Sequence, residues 1–285
     1  MSAKKAWYRE GAELLDEIKN TEASEDELAI WYLGQCGFAI KQQKIIYIDP
    51  VLNDISDQDG RSRRLYAPPF APELACADYV LCTHQHVDHM AEETLLGIYK
   101  NNRDVRFILP GVCIDLAVGW GIPRDHLIEA GTKSPLVLPG FAVRGISTAH
   151  PTHRREADGK EWSLAYDLEI SGMHLLHMGD TYLTEQLLGD LKQLPPPNVL
   201  FTPINGSDHF RDRRDIIGNM SARESAYLAD ELSADLTIPM HYDMIMGNTC
   251  NPLGFLEELW EIAPARRAVL PVLGERVIYR KGSTC

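Results

Sequence analysis

A short apolar run, Tyr79-Val80-Leu81-Cys82-Thr83, opens directly into His84-Gln85-His86-Val87-Asp88-His89. The run reads as a buried strand, and a loop at its carboxyl end lets alternate side chains point into one cavity. His84 and His86 can then grip one ion while Asp88 and His89 turn toward a second. Imidazole and carboxylate donors suit zinc, manganese or iron, and such sites keep positions open for water. A lone histidine carries no such message: His126, His174 and His209 are expected to be ordinary surface or core residues.

A motif of this kind needs the right surroundings. Three further apolar β-type runs end in potential ligands: Thr148-Ala149-His150, His177-Met178-Gly179-Asp180-Thr181 and Ile238-Pro239-Met240-His241-Tyr242-Asp243. The set then comprises His84, His86 and His150 for one cation, Asp88, His89 and His241 for the other, and Asp180 as a carboxylate between them. His153 competes with His150 for its place. One or two divalent ions, Mn2+ or Zn2+ with iron also open, are the expected cofactor.

The rest of the chain fits an α/β protein. An amphipathic N-terminal helix is expected over about residues 4–20, followed by strands at Ile30–Leu33, Phe38–Ile40 and Ile45–Ile48, the last ended by Asp49-Pro50. After a polar loop at Val51–Pro72, strands and helices alternate twice, which fits two sheets packed face to face with helices outside. No linker long enough to part independent domains is evident, so residues 1–285 read as one domain.

His-x-His-x-Asp-His, the later His150, Gly179-Asp180-Thr181 and the final His241 resemble, in type and order, the metal motifs of the metallo-β-lactamase superfamily. More narrowly, Trp31-Tyr32-Leu33-Gly34-Gln35-Cys36-Gly37, Val118-Gly119-Trp120-Gly121-Ile122-Pro123 and Gly218-Asn219-Met220 resemble the L-ascorbate-6-phosphate lactonase group. The resemblance implies a four-layer αβ/βα sandwich of two mixed sheets flanked by helices. It also implies hydrolysis, with opening of a phosphorylated sugar-acid lactone as the expected reaction.

A hydroxide held by two cations is a nucleophile at neutral pH, because a bound metal lowers the pKa of water from about 15.7 toward about 7. Asp88 and Asp180 would orient it or take its proton, with His241 completing the catalytic group. For substrate, Arg61 and Arg64 in the early loop and Arg211 and Arg214 after Asp208 could form an anion trap, since guanidinium forks suit phosphate or carboxylate. Ordinary solvated charge is the competing reading for these arginines. Tyr182 and Tyr242 are further candidate substrate contacts, while Asn219 and Asn248 are expected as left-handed turn residues.

Charge and composition narrow the partners. With 28 Lys+Arg against 41 Asp+Glu the net charge is -13, which disfavours nucleic acid and anionic membranes. No apolar run approaches the roughly 18 residues of a membrane span. The six cysteines show no CxxC spacing and the N-terminus does not read as a secretory signal, so a cytoplasmic setting with reduced thiols is expected. A small anionic substrate is the expected partner, and a homo-oligomer is allowed. No nucleophile elbow, phosphate-binding glycine loop or dinucleotide fingerprint is present. The alternatives are a phosphodiesterase or nuclease on the same fold and, further off, a di-iron oxidoreductase.

Overall fold

The alternation of side chains along the first strands sets the layers. In β1 (Glu27–Gly34), Leu28, Ile30 and Tyr32 join one hydrophobic cluster while Ala29, Trp31 and Leu33 join another. The split continues through β2 (Gly37–Lys41), β3 (Ile45–Ile48) and β4 (Tyr79–Leu81), where Phe38, Ile40, Ile46, Ile48, Tyr79 and Leu81 face the first cluster and Ala39, Ile45, Tyr47 and Val80 the second. A sheet apolar on both faces must be covered on both.

The computed structural model describes residues 6–56 and 63–282 and shows that cover. After β5 (Arg106–Pro110) and β6 (Leu127–Ala130) the chain builds a second sheet from β7 (Leu136–Leu138), β8 (Phe141–Ser147), β9 (Leu164–Ile170), β10 (Met173–His177), β11 (Val199–Pro203), β12 (Leu236–Met240) and β13 (Arg267–Ala268). Then β14 (Arg276–Arg280) returns to the first sheet and pairs antiparallel with β1, Tyr279 lying opposite Leu28. The orders are β14-β1-β2-β3-β4-β5-β6 and β13-β12-β11-β10-β9-β8-β7. Each sheet mixes antiparallel pairs with a parallel run, β3 to β6 in one and β10 to β13 in the other.

Helices α1 (Gly11–Asn20), α2 (Glu92–Asn101) and α3 (Gly111–Trp120) cover the outer face of the first sheet with Leu14, Ile18, Leu95, Ile98, Ile114 and Ala117. The second sheet's cluster takes Leu187 and Leu191 from α4 (Glu185–Leu191), Leu228 from α6 (Ala222–Glu231) and Phe255 and Leu259 from α7 (Leu253–Ile262). A short α5 (His209–Asp212) lies in the connection between β11 and α6. Two mixed sheets flanked by helices are therefore what the chain forms.

The first helix is shorter than expected. Glu10 is extended, Gly11 stands at φ +59, and Trp7 leaves the helical register to bury itself with its indole N–H donating to Ala67 O at 2.8 Å. Strands β6, β13 and β14 were not expected from the sequence pattern. No helix among the described residues is long and apolar enough to cross a membrane.

Candidate metal centre

The centre starts from a residue that the sequence presented as a strand end. Asp49 follows β3 at φ 44, and its carboxylate accepts from Thr83 N and Thr83 Oγ1, both at 2.7 Å, and from His89 Nδ1 at 2.7 Å. That carboxylate fixes the His89 ring and leaves its Nε2 buried without a hydrogen-bond partner. His84 repeats the device: Nδ1 lies 3.1 Å from Thr83 Oγ1, and its buried Nε2 has no partner either. Orphaned ring nitrogens are costly in a protein interior unless a cation takes them.

The remaining donors arrive from the ends of three strands of the other sheet. His150 follows β8, Asp180 follows β10 and His241 follows β12, so both sheets contribute to one edge of the sandwich. His84, His86 and His150 form one cluster, with ring centroids 4.5 to 4.9 Å apart and His150 Nε2 at 3.2 Å from His86 Nδ1. Asp180 lies between this cluster and the next: Oδ2 is 3.6 Å from His150 Nε2 and 3.2 Å from His241 Nε2, and Oδ1 is 3.3 Å from His89 Nε2. Asp88 Oδ2 closes the second cluster at 3.5 Å from His241 Nε2 and 3.7 Å from His89 Nε2. A tetrahedral cation with nitrogen and oxygen ligands at about 2.0–2.2 Å has ligand edges of about 3.3–3.6 Å, so these separations fit one. His153 turns elsewhere, its Nε2 at 2.9 Å from Thr184 Oγ1.

Charge divides the two clusters. Burial holds His84 well below the usual imidazole range, lowers His86 and brings His150 down to about 4, so the first cluster offers neutral ligands. In the second, burial opposes charging, but Asp180 and Asp88 override it, raising His89 well above its ordinary value and His241 to about 9. Burial likewise works against ionised Asp88 and Asp180, yet His89 and His241 hold both carboxyls below the ordinary range. Protons on His89 and His241 thus sit where a cation would be held.

Gln35, Cys36, Asp49 and Asp243 are site residues that the sequence reading missed. Gln35, at φ 57 in the turn between β1 and β2, reaches Asp88 Oδ2 at 2.7 Å and His241 Nε2 at 3.0 Å, while Asp243 Oδ1 accepts its backbone N–H at 3.0 Å. Cys36 is grouped with His89, Asp180 and His241. The signals that could have found them were the lactonase-like segment that carries Gln35 and Cys36, the strand-end acid Asp49 before proline, and the place of Asp243 two residues after His241.

Several expected substrate contacts lie elsewhere. Arg64 is buried, with Nη1 donating to Val51 O at 2.5 Å and Nε to Tyr66 O at 2.8 Å; it ties the loop together, so its guanidinium does not face the site. Tyr242 is buried against Tyr32, the rings 5.9 Å apart and inclined at 24°, and does not line the cavity over the ligands. Arg211 is held by Asp208 Oδ2 at 2.7 Å and Thr249 O at 2.9 Å. Arg214 is exposed beside Gly247. Tyr182 receives Gly218 N–H on its hydroxyl at 3.2 Å, positioning the segment that carries Ile216 and Ile217. Arg61 lies outside the described residues.

A cavity of about 210 Å³ opens over the ligands, walled by Ile55, Val87, Ile216, Ile217 and Ile245 together with Asp215 and Asn248. None of the arginines among the described residues lines it. Asn219 and Asn248 are not left-handed as expected. They end an amide chain in which Asn219 Nδ2 donates to Asn205 Oδ1 and Asn205 Nδ2 to Asn248 Oδ1, both at 3.0 Å.

A family model described as a beta-lactamase superfamily domain matches residues 27–241. The chain belongs to the metallo-β-lactamase superfamily. A UPF0173 protein of Pyrococcus abyssi is 29% identical over 231 residues, which cover 81% of this chain and 89% of the relative. A Salmonella paratyphi B protein named "Probable L-ascorbate-6-phosphate lactonase UlaG" is 22% identical over 296 residues, covering 90% and 80%. Among solved structures, the metallo hydrolase Igni18 of Ignicoccus hospitalis shares the fold at a TM-score of 0.67 and 20% identity, over 89% of this chain and 99% of its own. As a member of this superfamily the protein is a metal-dependent hydrolase, and the groups His84/His86/His150 and Cys36/His89/Asp180/His241 bring their ligand atoms close enough together to suit a metal ion.

Proposed function

We propose that the protein opens a small lactone to its hydroxy acid, using His84, His86 and His150 for one divalent cation, Asp88, His89 and His241 for a second, and Asp180 between them. The observation that carries this reading is the position of Asp180, within 3.6 Å of ligand nitrogens from both clusters. When bound, such cations supply an ionised water at neutral pH and polarise the carbonyl under attack. The chain's own part is placement. Asp88 and Asp180 stay ionised and can orient the water by accepting its hydrogen bonds, while Gln35 and Asp49 hold Asp88 and His89 in their orientations.

The lactone, as opposed to another ester, takes its support from the name of the Salmonella relative and from the lactonase-like segments. The aliphatic wall suits the ring of a small lactone, and Asn248 offers an amide beside the centre. The phosphate of a phosphorylated sugar acid would meet Asp215 in that wall, and Arg214 stands outside it beside Gly247. A nucleic-acid substrate has no basic track to follow at a net charge of -13. The test is a panel run on protein loaded with Mn2+ or Zn2+: neutral lactones, phosphosugar lactones and phosphodiesters. Lactone opening that is abolished by His241→Ala is the expected result. Turnover of phosphodiesters alone refutes the proposal.

A further inference from the structure

Cys36 has no role in the site as proposed so far, yet it is fully buried in it. The turn that carries it is fixed on both sides. Gly34 stands at φ +89 and Gln35 at φ 57, and a side chain at Gly37 would press on Gly34 O at 3.0 Å and Asp49 O at 3.2 Å. From the far sheet, His177 Nε2 donates to Cys36 O at 2.9 Å. These contacts leave the thiol aimed at the second cluster: Sγ lies 3.8 Å from Asp180 Oδ1, and the ligand atoms of Cys36, His89, Asp180 and His241 all lie within 4.8 Å of one another. The ring nitrogen that shares this space, His89 Nε2, is buried and makes no well-aligned hydrogen bond, with Asp180 Oδ1 3.3 Å away. A sulfur ligand sits slightly farther from its cation than nitrogen or oxygen, at about 2.3 Å, which accommodates the longer sulfur-to-carboxylate edge.

We propose that Cys36 is a thiolate ligand of the second cation, joining Asp88, His89, His241 and the Asp180 carboxylate. The inference rests on the two-cation reading of the site. Thiolate donors favour zinc, cobalt and iron, whereas hard ions such as manganese and magnesium favour oxygen. The cluster of three histidines has no sulfur, so a thiolate–metal bond can form at only one of the two positions. As the sulfur–metal bond forms, the thiol proton leaves to solvent and no redox change is involved.

Cobalt tests this without any substrate. The whole protein, kept reduced, is titrated with Co2+ while bound metal is counted and the near-ultraviolet thiolate-to-cobalt charge-transfer band is recorded. The expected result is two equivalents bound, with the band present in the wild type and absent from Cys36→Ser. Two bound equivalents with no band in the wild type, or a band that survives in Cys36→Ser, overturns the assignment of Cys36 while leaving the two-cation site intact. Uptake of a single equivalent overturns the two-cation reading and the inference with it. Should Cys36→Ser fail to fold, Cys36→Ala read by the same band and metal count decides in its place, and a wild type without the band overturns the assignment by itself.

Discussion

The contrast between the two clusters predicts that they bind cations with different sensitivity to pH. His241 is raised to about 9 by Asp180 and Asp88, so at pH 7 a cation must displace its proton. Two pH units of competition amount to about a hundredfold loss of apparent affinity relative to the unprotonated site, or about 2.7 kcal/mol. His89, raised in the same direction, adds to the slope. His84, His86 and His150 are pushed down by burial, His150 to about 4, so the cation they hold meets no such competition near neutrality. Binding constants measured against a chromophoric chelator between pH 6 and 8 should therefore show one cation nearly flat with pH and the other strengthening by at least a decade per unit. Two parallel, flat profiles would refute the reasoning. The sign for the metal-free protein is the reverse: the raised His241 contributes stability that is full below about 6.5 and is lost as pH rises through about 9.

Asp49→Ala should weaken cation binding by about 10- to 100-fold while leaving the fold in place, because it releases the His89 ring; metal content after dialysis measures it, and full retention would remove Asp49 from the centre. Gly179→Ala should destabilise the protein by about 1–3 kcal/mol, since Gly179 stands at φ +58 and a Cβ there would lie 2.8 Å from Thr83 Cβ; an unchanged urea midpoint would contradict it. Arg64→Met should cost about 1–3 kcal/mol of stability by leaving Val51 O and Tyr66 O without their buried donor, with KM unaffected. A raised KM at unchanged stability would restore Arg64 as a substrate contact.

The parts of this molecule legible in sequence are those written locally. Six consecutive residues carry four of the donors, and strands such as Tyr79–Leu81 and Ile45–Ile48 announce themselves by composition. What stayed hidden depends on distant partners. Arg276–Arg280 becomes a strand because β1, about 250 residues earlier, offers its free edge. Asp49 looks like a turn acid until Thr83 and His89 arrive, and Cys36 like a small core residue until Asp180 does. Arg64 misled for the same reason: in a polar loop its charge suggested a ligand, but the loop folds over it and spends its donors on its own carbonyls. Burial of a long side chain is a property of the finished surface, which no local pattern records.

The donors come from both halves of the sandwich: His84, His86, Asp88 and His89 hang from one sheet, and His150, Asp180 and His241 from the other. Cations bound here act as rivets across the interface, and whatever free energy they release on binding also resists prying the halves apart. Starving a cell of the right ion would then do more than silence the enzyme. It would shorten the lifetime of the polypeptide, exposing the seam to proteases and making abundance itself a readout of metal supply.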